Sequence, residues 1–210
     1  MSQYSITVAK QLLNIKAIKL QPGNPFTWAS GWKSPIYCDN RKALSFPEVR
    51  TYIKTAFAEL AKQMYADVDV IAGVATGAIA QGALVADLLN KPFVYVRSAP
   101  KDHGLANLIE GDIKAGQKVL VIEDLISTGS SSLKAVDALR NAGCNVAGML
   151  AIFTYGFPVA EEAFKAAGVE LTTLSNYQEM ITAAVESGYV TEADVETLQQ
   201  WRKNPSEWGK

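Results

Sequence analysis

The residues with the most chemical potential run from Val119 to Ser131, VLVIEDLISTGSS. Four apolar residues end in two adjacent carboxylates, Glu123 and Asp124, and a short turn of small hydroxyl residues leads into an expected helix. Backbone N–H groups of Ser127, Thr128, Gly129, Ser130 and Ser131 would form a phosphate cradle, with hydroxyls as added donors and a favourable field from the helix N-terminus. Gly129 lets the chain approach a ligand without a side chain. The two carboxylates suit ribose hydroxyls or the water shell of Mg²⁺, a hard ion that prefers oxygen. A serine-rich turn is also a good helix cap, so a purely structural reading competes with the phosphate one. Neither a P-loop nor a GxGxxG turn after a strand is present, which excludes two commoner nucleotide motifs.

Positioning that segment requires a sheet. Short apolar strands are expected at Val68–Gly73, Phe93–Arg97, Gln117–Ile122, Val146–Phe153 and Val169–Leu174, with helices at Ile79–Leu89, Ser131–Ala142 and Val159–Ala167 between them. Continuous apolar strands alternating with helices imply a parallel sheet covered on both faces, whose ligands bind beyond the carboxyl ends of the strands. Upstream, Val8, Leu12, Ile15 and Lys19 share a helical stripe that Pro22 and Gly23 should stop. The Gly-, Pro- and aromatic-rich stretch that follows fits a small antiparallel hairpin or lid. Ser45 is the expected N-cap of a helix reaching Tyr65, with Pro47 in its first turn. Ser98–Gly116 is a long connection with three glycines, the kind that serves as a lid, with an extra hairpin arm around Leu105–Glu110. Two further helices follow Asn176, broken near Gly188, and the last residues are expected to fray.

The 210 residues suffice for one full α/β domain. Twenty basic residues balance twenty-one acidic ones, so no nucleic-acid partner is expected. No apolar run is long enough to cross a bilayer and no secretion signal is visible, so a soluble cytoplasmic protein is expected. Two cysteines, Cys38 and Cys144, form no CxxC pair, which argues against structural zinc and for a reducing compartment.

Three segments carry a family resemblance. VLVIEDLISTGSS resembles the phosphoribosyl-pyrophosphate (PRPP) motif of type I phosphoribosyltransferases. FTWASGWKSPIYCDNR, Phe26–Arg41, is similar to the N-terminal hood of orotate phosphoribosyltransferases, and YVRSAPKDHGLANLIEG, Tyr95–Gly111, to their catalytic arm. The resemblance implies the type I α/β fold: a central, mostly parallel sheet flanked by helices in a single domain over 1–210, with a small N-terminal hood at 22–44 and a flexible arm at 98–116. It implies transfer of ribose 5-phosphate from PRPP to orotate, giving orotidine 5′-phosphate and pyrophosphate on the way to UMP, with Mg²⁺ as the cofactor.

By the same resemblance, Glu123 and Asp124 contact the ribose hydroxyls and metal-bound water, and Ser127, Thr128, Gly129, Ser130 and Ser131 hold the 5′-phosphate. Thr76 and Gly77 bind pyrophosphate. Arg97, Lys101 and His103 bring cations to it, Lys101 and His103 on an arm lent by the neighbouring subunit of a homodimer. Ser30, Lys33, Tyr37, Ser127 and Tyr155 face the base. No protein side chain is expected to ligate the metal directly. No arginine follows the Val146–Phe153 strand; Thr154 and Tyr155 stand there, so base recognition is expected to rest on the hood, the backbone and Lys33. PRPP-binding residues do not choose the base, so a transferase for another base, or a regulatory PRPP-binding protein without turnover, stays open at this point.

Overall fold

The structure is a computed structural model that describes residues 3–28, 31–99 and 108–209. Its centre is a six-stranded sheet in the order β10-β9-β8-β5-β6-β7, built from β5 (Val70–Val74), β6 (Phe93–Val96), β7 (Ile109–Glu110), β8 (Lys118–Ile126), β9 (Asn145–Thr154) and β10 (Leu171–Asn176). All neighbours are parallel except β7, a short antiparallel edge on β6 that pairs Tyr95 with Glu110. Two-residue periodicity sorts the strand side chains. Ile71, Leu120, Ile122, Leu150 and Ile152 pack in one core cluster with α1 (Ser5–Asn14), α2 (Pro47–Met64), α3 (Ile79–Leu89) and α6 (Tyr177–Glu186). Ala72, Val119, Val121, Met149 and Ala151 pack in the other, with α4 (Ser130–Asn141) and α5 (Pro158–Ala166). Both faces are covered, which is why the strands read as unbroken apolar runs.

Four local expectations are corrected. The first helix ends at Asn14, well before Pro22. Lys16 is left-handed at φ 55°, and the N–H groups of Lys16 and Ala17 donate back to Leu13 and Leu12, a closing pattern that usually uses glycine. The chain then enters β1 (Ile18–Leu20), antiparallel to β4 (Ile36–Cys38). Ser45 does not cap α2; it ends a 3-10 helix, Asn40–Ser45, and Phe46 occupies the cap with Pro47 as the first helical residue. The acidic pair lies within β8, four residues short of which the strand was expected to stop. Glu123 pairs with Ala151 and Leu125 with Phe153, because β9 runs on to Thr154 and offers ladder partners that far. The C-terminal residues do not fray: after α7 (Glu192–Lys203), Trp208 N–H donates to Asn204 O and its side chain packs against the core.

β2 (Phe26–Thr27) and β3 (Lys33–Ser34) form the small antiparallel hairpin expected near the N-terminus. No helix among the described residues is long and apolar enough to cross a membrane.

Candidate active site

At the carboxyl ends of β5 and β8 a cleft of about 390 Å³ is lined by Ala75, Thr76, Gly77, Glu123, Asp124 and Ser131, and on its far wall by Cys38, Asp39 and Arg41. A second cavity of about 300 Å³ is lined by Thr27, Trp28, Tyr37, Cys38, Leu125, Ser127 and Tyr155. The two share Cys38 and Leu125, so they form one groove.

Because Glu123 and Asp124 are consecutive in a strand, their side chains leave on opposite faces. Glu123 turns toward α4, only 4% exposed, where its Oε2 accepts from the Ser132 hydroxyl at 2.7 Å and its Oε1 from the Asp124 N–H at 2.9 Å. Burial, with the adjacent Asp124 charge second, pushes the Glu123 carboxyl up to about 8. Asp124 turns the other way, toward the β5–α3 turn, which carries a cis peptide between Ala75 and Thr76. A Cβ at Gly77 would overlap the Asp124 carboxylate. Here the absence of a side chain leaves Asp124 its place.

Gly129 answers to a constraint within the fold itself. Its φ is +79°, and an added Cβ would come within 2.8 Å of the Phe164 ring. The glycine permits a left-handed turn packed on α5. Around it, Ser131 reaches the first cavity and Ser127 the second, while exposed Thr128 and Ser130 complete the turn without lining either. The first-turn N–H groups of α4, which have no acceptor within the helix, open at the same end.

The base-sized cavity is aromatic. Tyr155 is 2% exposed and is surrounded by Trp28 at 5.4 Å, Phe157 stacked at 5.4 Å and Trp201 edge-on at 5.8 Å between ring centroids. Trp201 Nε1 donates to Lys33 O at 3.2 Å, and Arg202 donates to the Tyr155 and Gly156 carbonyls at 3.0 and 2.7 Å. The last helix therefore braces this cavity from behind. Another cavity, of about 340 Å³ between Pro158, Tyr177 and Arg202, gathers none of the acidic or hydroxyl residues.

Thus Thr76, Gly77, Glu123, Asp124, Ser127, Ser131, Tyr37 and Tyr155 come together along one groove. Besides Thr128, Gly129 and Ser130 of the turn, Lys33 and Arg97 do not join them. Lys33 sits on β3 with its Nζ donating to Thr27 Oγ1 at 2.9 Å, and Arg97 pairs with Glu110 at 3.5 Å, lining neither cavity. Ser30, Lys101 and His103 lie outside the described residues. Sequence reasoning assigned no role to Trp28, Asp39, Asn40 or Arg41, although all four stand in the segment singled out as a hood. Asn40 is 2% exposed and its Nδ2 donates to Asp124 O at 2.7 Å, tying the N-terminal segment to β8. Burial pushes the Cys38 thiol well up, with the charges of Asp124 and Asp39 adding to it, so it stays a neutral wall residue.

A family model of the phosphoribosyl transferase domain matches residues 50–176, more than half of the chain. The chain is 64% identical over 200 residues to an orotate phosphoribosyltransferase of Bacteroides fragilis, covering 95% of this chain and 94% of that one. To the orotate phosphoribosyltransferase of Porphyromonas gingivalis it is 61% identical over 202 residues, covering 96% of each. Among solved structures, the orotate phosphoribosyltransferase of Aeropyrum pernix superposes with a TM-score of 0.74 at 30% identity, over 88% of this chain and 99% of that one. The UMP synthase of Leishmania donovani gives 0.77 at 26% identity, over 93% of this chain and 42% of that longer one.

Proposed function

This chain belongs to the orotate phosphoribosyltransferase family, and from that premise we propose that the groove at the ends of β5 and β8 is where its reaction takes place. The reaction transfers ribose 5-phosphate from PRPP to N1 of orotate and releases pyrophosphate. The observation that carries the site assignment is the continuity of the two cavities, which sets Asp124 and the Thr76–Gly77 turn beside an aromatic slot.

In this reading the 5′-phosphate rests on the Ser127–Ser131 turn, where unpaired N–H groups and the α4 dipole favour an anion. The diphosphate lies over Thr76 and Gly77, and the orotate ring occupies the slot between Tyr37, Trp28 and Tyr155. Asp124 is the carboxylate free to meet the ribose hydroxyls. Glu123, with both oxygens engaged inside the protein, holds the strand and the start of α4 in register. Bond breaking at C1 leaves a ribosyl centre of oxocarbenium character, so the protein's task is positioning and compensation of charge on the departing diphosphate. No covalent intermediate with the protein is required, and attack by N1 from the opposite face inverts C1.

The donor set fits Mg²⁺ in its usual manner. Among the described residues no cluster of three metal-binding side chains exists, and one accessible carboxylate in a diphosphate cleft suits an ion that keeps its waters and takes most remaining ligands from the substrate. Bound there, Mg²⁺ would neutralise and orient the diphosphate.

Lys101 and His103 are assigned to the groove of a second subunit, with Arg97 as a further cation toward the diphosphate. Arg97 pairs with Glu110 beside β7, at the sheet edge next to the 98–116 segment that carries Lys101 and His103. Closure of that arm would exclude water from the ribosyl centre. The chain acts as one domain with 22–44 as hood, in a cytoplasmic homodimer. The test follows orotate absorbance and pyrophosphate release together, with PRPP and Mg²⁺ and with uracil, hypoxanthine and adenine as alternative bases. Asp124→Asn should abolish orotate turnover. A 1:1 mixture of Asp124→Asn and Lys101→Ala subunits should recover about a quarter of wild-type activity if sites are shared. Failure of the mixture to recover activity refutes the shared site, and full activity in Asp124→Asn refutes the groove.

A further inference from the structure

We propose that Arg41 is a diphosphate-binding cation supplied to the groove by the same chain, held ready by Asp39; this rests on the groove being the active site. The argument begins with charge. The described lining of the acidic cleft contains two carboxylates that face it, Asp39 and Asp124, while Glu123 is turned to α4 and protonated by its burial; the one cationic side chain there is Arg41. The turn assigned to the diphosphate contributes only neutral donors, since Thr76 and Gly77 stand there, and Arg97 is paired elsewhere with Glu110. A polyanion entering such a cleft meets net repulsion unless a cation on its wall faces it.

Geometry then favours Arg41 for that part. Arg41 Nε donates to Asp39 Oδ1 at 2.6 Å, an ion pair in which the arginine side chain is 58% exposed and the aspartate 22%. Nε lies on one edge of the guanidinium. Engaging it leaves the two terminal amino groups as a planar fork, the geometry that meets phosphate oxygens in pairs. An exposed arginine normally loses considerable rotamer freedom on binding. Asp39 removes part of that freedom beforehand, and the Asn40 bond to Asp124 O anchors the backbone between them at 2.7 Å. The three consecutive residues thus divide the work: Asp39 orients, Asn40 fixes the segment to β8, and Arg41 faces the ligand.

The diphosphate is the favoured target over the 5′-phosphate or the orotate carboxylate. The 5′-phosphate has its own cradle at α4, and Arg41 lines the cleft of Thr76 and Gly77, not the aromatic slot.

The test measures binding of Mg²⁺–pyrophosphate and of orotidine 5′-phosphate by calorimetry, with steady-state KM for PRPP and orotate, in Arg41→Ala, Arg41→Lys and Asp39→Asn. For Arg41→Ala, pyrophosphate affinity and KM for PRPP should worsen by about 10- to 100-fold, the worth of a charge-assisted pair. Orotidine 5′-phosphate affinity and KM for orotate should stay within about threefold, and melting should be unchanged because the ion pair is exposed. Arg41→Lys, which lacks the fork and the Nε anchor, should recover only part of the loss, and Asp39→Asn should show a smaller loss of the same pattern. Unchanged pyrophosphate affinity, or a loss falling equally on orotidine 5′-phosphate, overturns the proposal. Asp124→Asn, run alongside, separates the two claims: if it is inactive while Arg41→Ala is normal, the groove stands and Arg41 is not its cation; if both are normal, the groove assignment itself fails.

Discussion

Gly77→Ala isolates the contact between the β5–α3 turn and the acidic strand. Gly77 is not among the residues with positive φ, so alanine meets no backbone penalty there. The new methyl group would instead overlap the Asp124 carboxylate, whose Cγ and both oxygens are the atoms nearest to it. Those atoms form the end of a half-buried side chain, so rotation of Asp124 relieves the clash. An off-rotamer side chain costs about 1 kcal/mol. For a chain of this size that lowers the melting temperature by about 2–4 °C. Activity should respond far more, because misplacing a reacting group by about 1 Å costs roughly 100-fold in rate. The assay is the fall of orotate absorbance at saturating PRPP and Mg²⁺, paired with a thermal melt. Placing Gly77→Ala in an Asp124→Ala background and comparing melting temperatures supplies the control, since the new methyl group then meets no side-chain end at position 124. A variant that keeps more than half of the wild-type kcat/KM, or whose melting temperature falls as far in the Asp124→Ala background, refutes the reasoning.

Three further outcomes are expected. Glu123 has its carboxyl raised to about 8 from an ordinary 4.5, so the native state holds a proton that the unfolded chain releases. Its stabilising effect is complete below about pH 4.5 and is lost as pH rises toward 8; denaturant melts across that window should show falling stability in the wild type and a flatter profile in Glu123→Gln. Trp201→Leu should destabilise the protein by about 2–4 kcal/mol by opening space among Trp28, Tyr155 and Phe157. In that variant KM for orotate should rise more than KM for PRPP, and equal changes would show that α7 does not brace the base slot. Chelation of Mg²⁺ should stop turnover and leave the melting temperature of the substrate-free protein unmoved, as expected where the substrate supplies most of the ligands; a large fall would point to a structural metal.

Much of this arrangement was legible in the residues themselves. Apolar runs of five or six residues separated by helical segments dictate a parallel sheet, because only strands buried on both faces read that way. The EDLISTGSS segment marks a strand-to-helix junction, since apolar residues give way there to small hydroxyls and glycine that favour a helix start. Tertiary structure decided the rest. Whether β8 stops at Ile122 or runs to Ile126 depends on how far β9 extends beside it, and that register sends Glu123 to α4 and Asp124 to the cleft. Gly77 and Gly129 look alike in sequence, yet one clears a carboxylate and the other a phenylalanine ring 35 positions further along the chain. The Asn40 bond to Asp124 spans 84 positions and the Trp201 bond to Lys33 spans 168. No local pattern records such partners: periodicity reports which face a residue occupies, whereas contact across the molecule is settled by how the elements pack.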